Sequence, residues 1–333
     1  MNDFSNNGSI SRREMLRRSA AGFGNLALLS LLAESGFAQV KPDPLAPKRP
    51  HFEPKAKRVI FLFMHGGPSH VDTFDEKPLL TRDHGKPLPF AKPRVQFSTT
   101  RNLLKSHWEF TPRGQCGMPV SSLFPQVSTC VDDIAFINSM YGSNAAHGGA
   151  LLKLHTGSDN FIRPSMGSWI NYGLGSENND LPGFVVLTSV GGGQSQPIAA
   201  RQWHSGFLPS RFQGVRFRSL GDPVLYVNNP AGVNREQQGD IVNTVQGLNQ
   251  LANEQFRDPE IETRIAQYEM AFRMQASVPE LMNISDEPQH ILDMYGTKGG
   301  DGSYAGNCLL ARRLAERGVR FIQLYHRGWD HHG

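Results

Sequence analysis

Cysteine is scarce. Three residues in a chain of 333, Cys116, Cys130 and Cys308, cannot staple a fold of this length, so a disulfide scaffold is excluded. One Cys116 to Cys130 bridge remains open, as do buried thiols acting as small hydrophobes. A membrane-length apolar run is also missing: the stretch Ala20 to Leu32 has about 13 residues, short of the roughly 20 that span a bilayer. No excess of one charge stands out, with 34 Lys and Arg against 30 Asp and Glu, and four of those arginines fall in the first 18 residues. That distribution argues against a basic face for nucleic acid. What is present is an apolar content of 38% with 34 Gly and 22 Pro, the mark of a loop-rich globular protein with a sizeable core.

The N-terminus reads as an address. Paired arginines in Ser11-Arg12-Arg13-Glu14-Met15-Leu16-Arg17 precede the apolar stretch, and Gly36-Phe37-Ala38 supplies small residues for cleavage before Gln39. Residues 1–38 therefore look like a twin-arginine signal peptide. The expectation is a periplasmic or extracellular protein whose first partner is the twin-arginine export machinery, with no stable transmembrane segment. Residues 39–56 hold five prolines and read as an extended linker, which leaves 57–333 as the folded domain.

Within that domain the apolar run Arg58 to Met64 ends at His65-Gly66-Gly67-Pro68 and fits a strand buried on both faces that opens into a tight loop. Asp133 to Asn138 reads as a second strand and Gly183 to Thr188 as a third. Gly239 to Ala276 reads as two helices separated at Asp258-Pro259, with Ile261, Ile265, Tyr268, Ala271 and Phe272 of the second facing the core. Cys308 to Arg317 makes a further helix with Leu309, Leu310 and Leu314 inward; Gly318 ends it and Val319 begins the last strand. Helices alternating with short buried strands indicate an α/β fold with a mixed, mostly parallel sheet flanked by helices.

Three constellations carry donor chemistry. His65, His70 and Asp72 lie in a glycine loop after a strand, with donors of the type a divalent metal takes; a capped loop with Asp72 and Asp75 on backbone amides is the alternative. His147 opens a helix at Asn144-Ala-Ala-His147-Gly-Gly, where unpaired amides could hold a phosphate or sulfate; the alternative is a helix cap with His155 packed beneath it. Asp330, His331 and His332 follow a buried strand at the edge where open α/β sheets place ligands. Adjacent residues there point apart, and His332 is the imidazole expected to join Asp330.

The phrases SRREML (Ser11 to Leu16), MHGGPSHVDTFD (Met64 to Asp75), YEMAFRMQ (Tyr268 to Gln275), LARRLAERGVR (Leu310 to Arg320) and GWDHH (Gly328 to His332) together resemble the exported bacterial family known as domain of unknown function 1501. That family is similar to the alkaline phosphatase and sulfatase superfamily of metal-dependent ester hydrolases. The resemblance implies metal ligands among His65, Asp72, Asp330 and His332, a divalent cation (Zn, Ca, Mg or Mn), and His147 at the position of the superfamily nucleophile. No hydroxyl or thiol stands there, and the sulfatase signature Cys-x-Pro-x-Arg is absent, since Leu310 occupies the proline position after Cys308. It also implies a chain continuing into further strands and ligands, so the sequence is expected to be C-terminally incomplete.

The function expected on these grounds is an exported, metal-dependent hydrolase-like protein acting on phosphate or sulfate esters, with a small molecule or glycan ester as substrate. A water would attack with His147 as base or anion contact. Two further readings are a non-catalytic binder of an anionic glycan or cell-envelope component, and an inactive fragment whose last strand exposes an unpaired edge.

Overall fold

A computed structural model describes residues 43–92, 99–191, 198–218, 220–221, 223–224, 229, 232–256 and 258–330. The chain divides into two compact units, Met1–Ala46 and Pro47–Gly333. The twin-arginine segment lies outside the described residues. In chain order its elements are β1 (Val59–Met64), α1 (Pro78–Arg82), β2 (Phe110–Arg113), β3 (Met118–Ser121), α2 (His147–Thr156), α3 (Met166–Leu174), β4 (Phe184–Thr188), β5 (Val215–Phe217), α4 (Arg235–Phe256), α5 (Pro259–Met282), α6 (Gln289–Tyr295), α7 (Tyr304–Glu316) and β6 (Phe321–His326). Among the described residues no helix is long and apolar enough to cross a membrane.

Four strands form a parallel sheet in the order β1-β6-β4-β5, and β2 pairs with β3 as a separate antiparallel hairpin. Helices flank the sheet, so the expected α/β class with a mostly parallel sheet holds. The last strand sits between β1 and β4, which corrects the expectation that it would be an exposed edge. Its composition explains the position, because both of its faces can be buried. Phe321 and Tyr325 join Phe184, Val186 and Trp203 on one face, while Ile322 and Leu324 join Val185, Leu187, Leu281 and Leu314 on the other. Each such side chain removed from water contributes roughly 1.5–3 kcal/mol, which fixes the register against a one-residue slip.

β1 is the corrected element. It is paired on one side only among the described residues, and Ile60 and Leu62 are 41% and 54% exposed, so it is an edge strand with one face open to solvent. A continuous apolar run does not distinguish an edge from a centre. Phe61 and Phe63, on the alternate face, pack against the Phe184 cluster.

Residues 134–138 are not a strand. A 3-10 turn, Val131–Asp133, precedes them, and the carboxylate of Asp132 accepts from the backbone amides of Gln115 (2.8 Å) and Cys116 (2.9 Å) in the turn between β2 and β3. This anchor holds the segment to the hairpin rather than to the sheet, and Ile137 is left 76% exposed. Cys116 and Cys130 are both free and exposed, so neither the bridge nor the buried thiol describes them.

The helices follow their sequence signals at their ends. Asp258 caps α5 by accepting from the amide of Glu260, with Pro259 in the first turn. Its inward stripe differs from the expected one: Met274, Val278 and Leu281 enter the core, while Tyr268 is exposed and Phe272 faces α4, with Arg235 5.5 Å from its ring. The first half of α5 packs on another helix and only the second half on the sheet, so no single stripe runs its length. α7 buries Leu309, Leu310 and Leu314 as expected, starts on a Ser303 cap to the amide of Gly306, and delivers the chain through Gly318 into β6. The proline-rich stretch before β1 has no helix or strand between residues 47 and 58, yet Lys48 is docked, its amide on Leu174 O and its ammonium on Tyr172 O.

Candidate functional site

The parallel register of β1 and β6 brings Met64 level with His326, so both strands open into loops at one edge of the sheet. The two loops are stitched together: the His65 amide donates to His326 O (2.8 Å) and the Trp329 amide to His65 O (3.1 Å). Gly66, at φ +133°, is what permits this. A Cβ there would lie 2.4 Å from the Asp330 amide nitrogen and 2.8 Å from the Trp329 carbonyl carbon, so only glycine lets the backbones approach this closely.

α2 enters the same edge with His147 as its first residue. Asn144 accepts from the Ala146 amide (2.9 Å) and donates to Asp159 (3.2 Å), fixing the approach to the helix, and Gly157 at φ +76° ends it. The outcome is a side-chain contact, His147 Nε2 to Asp330 Oδ2 at 3.2 Å, with Asp330 nearly buried and His147 one-third exposed. The first amides of α2 have no intrahelical acceptor, so an anion seated beside His147 would meet N–H donors at the positive end of the helix dipole.

Below this pair is a layer of buried imidazole. His65 and His155 are each 2% exposed, and Nε2 of each is buried without a hydrogen-bond partner among the described residues. Burial holds the His65 imidazolium below its ordinary range, reinforced by the charges of Arg327 and His147. Burial, and then His65, lowers His155 to about 4. Both rings pack around Phe63 and Tyr325, and the Gln323 amide reaches both the Tyr325 hydroxyl and His155 Nδ1 (3.4 Å). His155 thus lies under the helix as expected. Two neutral imidazoles at the base of the site leave Asp330 and His147 as the polar pair at its rim.

Of the residues singled out from sequence, His65, His147 and Asp330 come together. Asp72 sits half-buried in the 3-10 turn His70–Asp72, and no contact joins its carboxylate to the His147 and Asp330 pair among the described residues. Asp75 of the same loop pairs with Lys77 at 2.7 Å rather than serving a ligand set. His332 lies outside the described residues. Among the described residues no group of three or more His, Cys, Asp or Glu side chains converges as a metal cluster. His147 and Asp330 are of the donor types a divalent cation takes, and are two in number.

Arg327 and Gln323 were passed over in the sequence. Arg327 lies between β6 and Asp330, its amide held by Ser189 Oγ (3.2 Å), and its charge is felt at His65. The signal was available as the only cation between the last strand and Asp330. Gln323 was hidden inside an apolar run, where a polar residue on a central strand marks a buried network. The loop after β6 is further braced by stacking of His326 on Tyr304 (4.0 Å between centroids, 7°) and of Trp329 on Phe124 (6.1 Å, 9°).

The His147 side opens onto a cleft of about 540 Å³ lined by Gly66, Gly67, Pro68, Met140, Tyr141 and Leu154 among others. Among the described residues no Ser, Thr or Cys lines this cleft, so no covalent nucleophile of that kind stands in its described wall.

The family model described as a protein of unknown function (DUF1501) matches residues 56–333. No curated protein and no solved structure matches the chain.

Proposed function

From the premise that the chain belongs to the DUF1501 family, we propose that it is an exported, metal-dependent hydrolase-like protein that acts on phosphate or sulfate esters through His147 and Asp330. The observation that carries this reading is the 3.2 Å contact between His147 Nε2 and Asp330 Oδ2 at the sheet's C-terminal edge, beside the open amides of α2. A divalent cation, if bound, would be held by Asp330 and would polarise the ester oxygen, which leaves the other ring nitrogen of His147 open to the water.

The remaining work falls to the chain itself. The α2 amides bind the non-bridging oxygens of the ester, and Gly66 and Gly67 leave room for them. Asp330 orients the His147 ring, and His147 takes the proton of the attacking water, which suits a site without a hydroxyl or thiol nucleophile. Neutral His65 and His155 behind the pair add no positive charge that would compete for the anion. The apolar cleft receives the group that leaves.

The full chain should hydrolyse p-nitrophenyl phosphate or p-nitrophenyl sulfate, with kcat/KM falling about 100-fold or more in Asp330→Asn, as removal of an orienting carboxylate does. An unchanged rate in that variant removes the assigned role. Binding of an anionic glycan at the same edge without turnover is the second reading, favoured by the absence of a side-chain nucleophile from the described cleft wall; it requires saturable binding with no product released.

A further inference from the structure

We propose that the cleft beside His147 is a groove for an apolar alcohol, so that the substrate class of the site is the phosphate or sulfate monoester of a medium-chain alkyl alcohol rather than a glycan ester. This rests on the hydrolase reading, since it assigns the leaving group of the same site. It is carried by the walls of the cleft and not by the contact between His147 and Asp330.

The groove has a direction, and the sequence of α2 gives it. His147, Ala150, Leu151 and Leu154 all line the cleft and recur at helical spacing, so one of its walls is a single face of that helix. At about 1.5 Å per residue, the steps from His147 to Leu154 carry this face about 10 Å from the helix N-terminus. Gly67 fixes the reacting end. A Cβ built on it would meet His147 Cε1 at 3.5 Å, so the imidazole stands against the glycine loop that follows β1. Met64 at the end of β1 and the segment Met140–Gly142 supply the remaining walls.

The polar groups of these walls are already engaged. Asn144 spends its carbonyl oxygen on the Ala146 amide and its amide on Asp159, while the Lys153 ammonium donates to Ser143 Oγ. Among the described residues no carboxylate lines the cleft. A sugar would bring several hydroxyls into such a groove, and a hydroxyl taken out of water without a partner is penalised. The apolar side chains are the ones left without cover. Met140, Tyr141 and Leu154 are 77%, 96% and 51% exposed, and all three border this one cleft instead of lying scattered over the surface.

Position selects the occupant. The groove begins at His147, so whatever fills it is joined to the ester that reacts there. A protein partner would need a face far broader than a cleft of about 540 Å³. An extended tail of roughly six to eight carbons spans the length from His147 to Leu154, and each methylene seated on that face leaves water. The step is hydrolysis and balances without a further reactant. The oxygen of water bonds to phosphorus or sulfur, the bond to the alkyl oxygen breaks, and the proton taken by His147 ends on the departing alcohol.

Calorimetric titration of the full chain with ethyl phosphate, octyl phosphate, 1-octanol and glucose 6-phosphate tests this, with octyl phosphate kept below its micelle concentration. Octyl phosphate should bind at least about 30-fold tighter than ethyl phosphate, because each buried methylene adds up to about fourfold. 1-Octanol and glucose 6-phosphate, which lack the head and the tail respectively, should each bind at least about tenfold more weakly than octyl phosphate. Leu154→Asn and Tyr141→Ala, both at exposed positions, should retain the melting temperature and shrink the octyl-to-ethyl ratio about threefold or more. Released octanol is measured in parallel. The ratio preserved with no octanol formed refutes hydrolysis and leaves the groove assigned, whereas ethyl and octyl phosphate cleaved at equal kcat/KM refutes the groove and leaves hydrolysis. Absence of octyl phosphate binding, a ratio unchanged in both variants, or 1-octanol or glucose 6-phosphate binding as tightly as octyl phosphate overturns the proposal.

Discussion

His65 and His155 lie behind the His147 and Asp330 pair and share one constraint: each is buried among rings, and each keeps an Nε2 with no hydrogen-bond partner among the described residues. A proton on either would place an imidazolium in that setting, so burial depresses both affinities for protons. The consequence for stability has a definite sign. Above the ordinary imidazole pKa of 6.5 both folded and unfolded states are neutral at His155, and the proton makes no difference. As pH falls below 6.5 the unfolded chain binds the proton first and stability is lost, until the folded state also binds near pH 4. His65 acts in the same direction. About 2–3 kcal/mol should disappear between pH 7 and 4 from His155 alone, at 1.36 kcal/mol per pKa unit. Urea midpoints across that range should show the fall, and His155→Gln should flatten most of it; a variant with the unaltered slope would assign the loss to other groups. Gly66 makes the second residue-scale case. Gly66→Ala places a methyl 2.4 Å from the Asp330 amide on a backbone at φ +133°, and should cost about 1–3 kcal/mol while separating Asp330 from His147. Denaturation together with kcat/KM checks both effects; a fully active, equally stable Gly66→Ala protein would show that the loops tolerate spreading.

At the scale of elements, α7 and β6 form the unit that carries the candidate site, and one side chain ties that unit to the rest. Arg313 on α7 is 3% exposed and spends its guanidinium on Leu281 O (3.0 Å) and Asn283 O (2.6 Å), carbonyls at the end of α5, and on Asp286 and Glu287. It therefore caps one helix from another and, together with Arg312, neutralises Glu287, whose side chain is itself 7% exposed. Arg313→Met should cost about 3 kcal/mol or more by chemical denaturation, and Glu287→Leu added to it should recover part of that loss by removing a buried charge that then has only the partly exposed Arg312 as partner. Additive losses in the double variant would mean that the ion pair is incidental to the cap. Elements with a local signature were legible in the sequence: the Asp258-Pro259 start of α5, the Gly318 end of α7, and the run of β4, whereas α7 begins at Tyr304 on its Ser303 cap, four residues before the expected Cys308. Elements whose state depends on distant partners were not. β1 reads as a central strand because apolar content records propensity and not neighbours, and residues 134–138 read as a strand because the Asp132 anchor to the β2–β3 turn cannot be seen locally. The same division holds at the candidate site. His65, His147 and Asp330 announced themselves by residue type beside glycines and strand ends, whereas Gln323 and Arg327 mattered only once β6 was found at the centre of the sheet.

At the scale of the whole sheet, the order β1-β6-β4-β5 distributes burial unevenly. β6 and β4 are covered on both faces, while β1 leaves one backbone edge unpaired among the described residues and exposes Ile60 and Leu62 on one face. An apolar strand with free N–H and C=O groups is a template for another strand, and the exposed side chains add a hydrophobic incentive to the backbone bonds. Self-association through this edge should therefore rise with protein concentration and persist in salt, since no charge pair is involved. Leu62 is the position at which to test it, because its side chain is already 54% exposed and a lysine there would extend into water without disturbing Phe61 and Phe63 on the packed face. Leu62→Lys should lower the weight-average mass seen by light scattering at high concentration while changing the urea midpoint by less than about 0.5 kcal/mol equivalent, as expected of an exposed position. Association unchanged in Leu62→Lys and in Ile60→Lys alike would show that the chain assembles, if it does, through some other surface.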